Sequence, residues 1–310
     1  MRFPPHRLPP PALLLGALLT AGAAPKPVLF VTIPPQRWLL RSLAGEAVEV
    51  ELLVAPGQNP HTFEPTGRQL ARLARAQGWL TIGLPFERTL LAKARASRPG
   101  LAEYPVHAGV PRLGAPPHGH EHTEHTDAHT SAADDPCCAP EGADPHIWLA
   151  PRPMAQLATN TCRALQQILP DARERLGAAL AELTVSLARL ERELAATLAP
   201  AAGRTFWVYH PSWAYFAEAF NLRQQAVEQE GREPSGRQLA RLIESARAAR
   251  ARVLFADPQF DPGPIRTLAR QLDARVVTLD PLAEAWPDNL RHVAAVLWEA
   301  LQEPADDRNS

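Results

Sequence analysis

The chain is short of cysteine, of long apolar runs and of any excess charge. Three cysteines stand among 310 residues. Two of them, Cys137 and Cys138, are adjacent, and neighbouring cysteines fit disulfide geometry poorly. One of the pair could bridge to Cys162 and leave a free thiol; no disulfide framework is implied. Beyond the N-terminus no segment approaches the roughly 18–20 uninterrupted apolar residues of a membrane span. The balance of 32 basic and 33 acidic side chains gives no basic surface for nucleic acid.

What is present starts with a targeting pattern. Arg2 and Arg7 precede an apolar run from Ala12 to Ala23. Ala21, Gly22 and Ala23 form a small-residue cleavage site, with Pro25 and Pro27 just beyond. Residues 1–23 are therefore expected to be a cleaved signal peptide and the mature product a soluble periplasmic protein. Cleavage near Ala23 leaves 30 basic against 33 acidic side chains, a mildly acidic balance compatible with a cation ligand.

Short apolar runs alternate with helical patterns. Residues 28–33, 48–54, 79–82, 205–209, 253–256 and 276–279 read as buried strands, and 67–77, 86–96, 235–250 and 289–301 as helices. This alternation predicts an α/β protein with parallel sheets covered by helices. Between the halves, Leu176, Leu180, Leu183, Leu187, Leu190, Leu194 and Leu198 recur at intervals of three or four and predict one helix over 170–199. Such a stripe fits an interdomain strut or a dimeric coiled coil; its place between two α/β halves favours the strut. The expected division is an N-terminal domain over 24–169, the connecting helix over 170–199 and a C-terminal domain over 200–310. Residues 115–141 have almost no bulky apolar side chain and read as a loop.

Three histidines stand far apart in distinctive settings: His61 in Asn59-Pro60-His61-Thr62-Phe63-Glu64-Pro65, His146 in Asp144-Pro145-His146-Ile147-Trp148, and His210 in Tyr209-His210-Pro211-Ser212-Trp213. His61 lies in the loop after a predicted strand; His210 and Asp280 follow strands directly. Ligands of open α/β sheets bind beyond the carboxyl ends of the strands. Three imidazoles and one carboxylate match the donors and the fourfold count that zinc favours. His118, His120, His122, His125 and His129 lie in the 115–141 loop, with Asp134, Asp135, Cys137 and Cys138. The loop is either a solvated polar insertion or an accessory, weaker zinc collector.

At these motifs the chain resembles the zinc branch of the metal-binding substrate-binding proteins of ABC uptake systems, the cluster A-I type. The resemblance runs on through Glu230-Gly231, Pro234-Ser235, Phe255-Ala256-Asp257-Pro258-Gln259-Phe260 and Leu279-Asp280-Pro281-Leu282. It implies two α/β domains joined by one long rigid helix, with the metal in the interdomain cleft. It also implies the ligands His61, His146, His210 and Asp280, a Zn2+ cargo, a membrane permease as partner, and no catalysis. Members carrying manganese usually have a carboxylate where His210 stands. Glu64, Trp148, Trp213 and Asp257 are expected around the ligands, the two tryptophans as shields against water. Asp257 stands where the family commonly has Glu, and Asn59 where it has an acid. The chain is expected to be a monomer. Alternatives are the same fold serving manganese, iron or copper, or a zinc hydrolase, which would need an open coordination position and a general base. His107 and His292 read as ordinary surface or capping residues.

Overall fold

The computed structural model describes residues 25–114, 143–228 and 235–302. The first lobe holds strands β1 (Val28–Val31), β2 (Glu49–Leu52), β3 (Gly78–Thr81) and β4 (Ala102–Pro105), with helices α1 (Pro34–Ala44), α2 (Gly67–Leu73) and α3 (Pro85–Ser97) between them. These strands pair in the order β2-β1-β3-β4, all parallel. Helices α4 (Pro151–Ile168) and α5 (Arg173–Leu198) follow. The second lobe repeats the plan: β5 (Thr205–Val208), α6 (Ala214–Ala219), β6 (Arg223–Ala226), α7 (Gly236–Ala248), β7 (Val253–Ala256), α8 (Gly263–Leu272), β8 (Arg275–Thr278) and α9 (Trp286–Gln302). Its order is β6-β5-β7-β8, again parallel. The expected α/β class and parallel sheets are present.

Local chemistry explains the boundaries. Proline opens α1, α3 and α4, where a missing N–H costs nothing because the first turn has no acceptor for it. The sequence GRQLARL forms α2 and begins α7. Thr66 caps the first copy and Ser235 the second, and the glutamine three residues on returns the bond to the cap backbone. This internal repeat occupies the same topological place in each lobe, between the second and third strands in chain order. The central strands β3 and β7 are fully buried; β7 is an unbroken apolar run, and β3 carries one polar side chain, Thr81.

The leucine stripe forms α5 after a 3-10 turn at Pro170–Ala172, and a second such turn, Ala199–Ala201, ends it. Leu176, Leu183, Leu187, Leu190, Leu194 and Leu198 are buried, and Leu180 is partly buried. At ~1.5 Å per residue the helix is about 39 Å long. It packs against α1 and α4 of the first lobe and α9 of the second. This is the strut arrangement, its apolar face covered from within the chain.

Further contacts join the lobes beside it. Trp38 stacks on Trp286 with ring centroids 5.1 Å apart. Arg37 Nε donates to Glu284 Oε1 at 2.8 Å. Trp148 Nε1 donates to the Pro281 carbonyl at 2.7 Å, and Trp286 Nε1 to the Trp148 carbonyl at 2.7 Å. Among the described residues no helix is long and apolar enough to cross a membrane.

Candidate metal centre

The three histidines predicted as ligands converge. One ring nitrogen from each of His61, His146 and His210 lies within 4.8 Å of the others, the one such group of donors found among the described residues. Each arrives on a separate element. His61 sits in a 3-10 turn, Pro60–Thr62, whose N-cap Asn59 accepts the His61 N–H at 2.8 Å. Asn59, where the family resemblance places an acid, thus fixes the turn by its amide oxygen. His146 precedes the 3-10 turn Ile147–Leu149. His210 follows β5 by two residues.

The orientation of two rings is set by carboxylates. Asp144 Oδ1 accepts the His146 backbone N–H at 2.8 Å and lies 2.8 Å from its Nδ1. Glu228 Oε2 lies 2.8 Å from His210 Nδ1. A carboxylate facing Nδ1 holds the proton there and leaves Nε2 as the free donor. His210 Nε2 is in turn 3.0 Å from His61 Nε2. Zinc–nitrogen bonds of about 2.0–2.1 Å in a tetrahedron place neighbouring nitrogens roughly 3.3–3.4 Å apart, so the pair is close to the spacing a bound ion imposes. The donor set fits zinc.

Electrostatics keep imidazoles neutral here. His61 is exposed as a residue, yet its ring is crowded by the other two. Desolvation first, then His146 and His210, hold its pKa far below the ordinary value. Burial also lowers His210, against the opposing pull of Glu228. Neutral imidazole is the form that binds metal.

Asp280 lies two residues beyond β8 and outside the three-histidine group. Its Oδ1 accepts from Gln259 Nε2 at 2.6 Å and from Leu282 N at 2.9 Å. Asp257 is buried and accepts from Ser212 Oγ at 3.1 Å. Burial first, and nearby Asp280 and Glu228 after it, raise its pKa to about 8 against the bond from Ser212. Glu64 is exposed. Trp148 is buried with its ring 5.3 Å from that of His146, a wall on that side. Trp213 is buried against Phe216, and the aromatic lying on His210 is Phe260, with centroids 4.6 Å apart.

One expectation changes: His107 is buried and its Nδ1 lies 3.2 Å from the Thr81 carbonyl, so it is not a surface residue. Cys162 is buried, its thiol 3.5 Å from the Leu176 carbonyl, and burial raises its pKa. Its possible partners Cys137 and Cys138 lie outside the described residues, as do the signal segment and His118, His120, His122, His125 and His129. The residues flanking the histidine-rich segment are described: Asp144 N donates to the Leu113 carbonyl at 3.0 Å. Tyr215 of the second lobe accepts from Leu113 N at 3.0 Å and donates to the Asp144 carbonyl at 3.1 Å.

Comparison with known proteins agrees with this geometry. Residues 29–300 match the family described as zinc-uptake complex component A, periplasmic. The high-affinity zinc uptake system protein ZnuA of Yersinia pestis is 26% identical over 284 residues, covering 87% of this chain and 88% of that protein. Zinc-binding protein AdcA of Streptococcus pyogenes is 22% identical over 260 residues, covering 81% of this chain and 49% of that protein; the chain spans about half the length of this relative. A crystal structure of ZnuA, 35% identical, aligns with a TM-score of 0.79 over 90% of this chain and 100% of that one. A ZnuA deletion mutant with zinc bound, also 35% identical, gives 0.77 over 89% and 98%. The chain belongs to the periplasmic component A family of zinc-uptake complexes, a family of substrate-binding proteins and not of enzymes.

Proposed function

We propose that this chain captures Zn2+ outside the cytoplasm with His61, His146, His210 and Asp280 and hands it to the permease of an ABC importer. The convergence of three imidazoles within 4.8 Å carries the reading. Three nitrogen donors suit zinc better than manganese, which favours oxygen-rich sites. Family membership supports zinc as the cargo and the periplasm as the compartment, reached through a signal peptide over residues 1–23. The same reading divides the mature chain into an N-terminal domain (24–169), the connecting helix (170–199) and a C-terminal domain (200–310), acting as a monomer. The two GRQLARL helix starts offer the permease a like surface on each lobe. The histidine-rich segment over 115–141 is an accessory collector, weaker than the cleft because a loop loses conformational freedom when it chelates.

Metal analysis of the purified mature protein, alongside His210→Ala, tests the assignment. One tightly held zinc in the wild type and its loss in the variant are expected. Undiminished zinc in the variant would overturn the ligand set.

A further inference from the structure

The turn after β7 reaches both donors that the second lobe offers. Phe260 lies nearly flat on His210, the ring planes 26° apart. One residue earlier, Gln259 Nε2 donates to Asp280 Oδ1 at 2.6 Å, and Leu282 N donates to the same oxygen at 2.9 Å. Asn289 Nδ2 holds the Asp280 backbone carbonyl at 2.8 Å. Asp280 thus has one carboxylate oxygen engaged by two N–H donors and its main chain fixed from a third direction. Gln259 Oε1, at the other end of the amide, is buried without a hydrogen-bond partner. Burying an unpaired acceptor is unfavourable, so the amide is kept in place for what its N–H does.

We propose that Gln259 is a positioning residue that restricts Asp280 to coordination through one oxygen, and so favours a four-coordinate cation over divalent ions that take more oxygen ligands. This rests on the reading of Asp280 as the fourth ligand. A carboxylate can hold a metal through one oxygen or both. With Oδ1 held by Gln259 and Leu282, Oδ2 is the oxygen left to donate. Three imidazoles and one oxygen make four, the count of a closed zinc site. Without Gln259, Oδ1 keeps only the Leu282 N–H and regains a lone pair for the metal, so the carboxylate can chelate through both oxygens, giving five donors and a larger share of oxygen. That is the direction manganese prefers. Groups that touch a ligand and not the metal fix its orientation and basicity, and their loss commonly weakens binding by about 10–100-fold.

The test uses the full mature chain with Gln259→Leu, which keeps bulk and removes the N–H, with Gln259→Ala, and with Asp280→Ala as reference. Zinc and manganese affinities are measured by competition with a chromophoric chelator. The visible absorption of the Co2+-loaded proteins reports coordination number, since four-coordinate cobalt absorbs far more strongly than five- or six-coordinate cobalt. Both Gln259 variants are expected to weaken zinc by about tenfold, to narrow the zinc-to-manganese ratio, and to lower the cobalt band. A purely structural role for Gln259 would lower the melting temperature and leave ratio and spectrum alone; that result overturns the proposal. If Asp280→Ala changes affinity and spectrum while the Gln259 variants change neither ratio nor spectrum, the Gln259 assignment alone falls. If Asp280→Ala leaves zinc affinity and the cobalt spectrum unchanged, the reading of Asp280 as a ligand fails and the assignment goes with it.

Discussion

Glu228 Oε2 stands 2.8 Å from His210 Nδ1, and the register of two parallel strands puts it there. β5 pairs with β6 from Thr205↔Arg223 to Val208↔Ala226, an offset of 18 residues. Glu228 N continues the ladder by donating to the Tyr209 carbonyl at 2.9 Å. Carried two residues past the strand ends, the same offset brings 210 level with 228. A metal donor and the acid that orients it are therefore set by one backbone alignment.

The first prediction concerns that acid. Glu228→Gln is expected to weaken zinc binding by about 10–100-fold, because the proton on Nδ1 loses its charged acceptor and Nε2 loses basicity. Asp144→Asn is expected to act in the same direction through His146. Calorimetric titration, with circular dichroism to confirm folding, checks both. Unchanged affinity in both variants would mean that the imidazoles are oriented by something else.

Zinc binding is expected to hold from mildly alkaline to neutral pH and to fall in acid. Protons compete with the metal for imidazole, and a free imidazole titrates near about 6.5. His61 and His210 are held below that value in the folded protein, so the onset of loss for these two lies lower than their sequence alone suggests. In the metal-free protein the sign is the same. The unfolded chain takes up protons on these histidines before the folded one does, so their contribution to stability is present above about 6.5 and is lost as pH falls below it. Affinity measured from pH 8 to pH 5 gives the profile; a steady decline beginning above neutrality would contradict it.

Glu87 gives an opposite trend. It is buried at the start of α3, accepting from the Ile82, Gly83 and Leu84 amides and from Thr32. Burial raises its pKa to about 7 against those bonds. The folded state therefore keeps its proton over a range in which the unfolded chain has released it. Its contribution is full below the ordinary glutamate value, about 4.3, and declines as pH rises toward 7. Glu87→Gln is expected to flatten that decline, and urea unfolding of both proteins at pH 4.5 and pH 7.5 measures it.

Leu190→Ala on the connecting helix is expected to destabilise the protein by about 2–5 kcal/mol, the range for large-to-small changes in a packed core. Leu190 is 2% exposed and belongs to the core cluster that takes in both lobes. Chemical denaturation is the measurement. A cost below about 0.5 kcal/mol, the usual size of surface effects, would mean that the stripe is not packed as described.

Removing residues 115–141 is expected to leave tight one-to-one zinc binding intact and to abolish only additional, weaker equivalents. Leu113 and Asp144 are hydrogen-bonded backbone to backbone, so a short linker can close the gap without moving His146. Loss of the tight site in a titration of the deletion would refute this.

Much of this was legible in the sequence, for reasons that also explain the gaps. β7 could be read to the residue because Val253–Ala256 is buried on both faces and carries no polar break. β4 and β6 could not, since AEYP and RQQA are half-buried edge strands without an apolar run. α4 was hidden by Pro151 and Pro153, which mark its first turn rather than a loop. His61, His146 and His210 stood out by their settings. Asp144, two residues before His146, was within a quoted motif but without a role. Glu228 gave no local signal, and Phe260 lay within a motif but without a role, because both meet His210 only through the alignment of β5 with its neighbours. An internal comparison of the two halves would have revealed GRQLARL and with it the common plan of the lobes.

The two indole bonds at the lobe boundary bear on how an ion is caught. Trp148 follows His146 by two residues, and its N–H grips the carbonyl next to Asp280, while its own carbonyl receives Trp286. The parts of the cleft that face each other are thus tied together beside the site, along a shared helix. Capture needs little loss of internal freedom by the protein at the moment of encounter. The speed of loading then depends chiefly on how fast the ion sheds its water and how small segments such as the His61 turn adjust, and a loaded molecule should scatter X-rays in solution with nearly the same radius of gyration as an empty one.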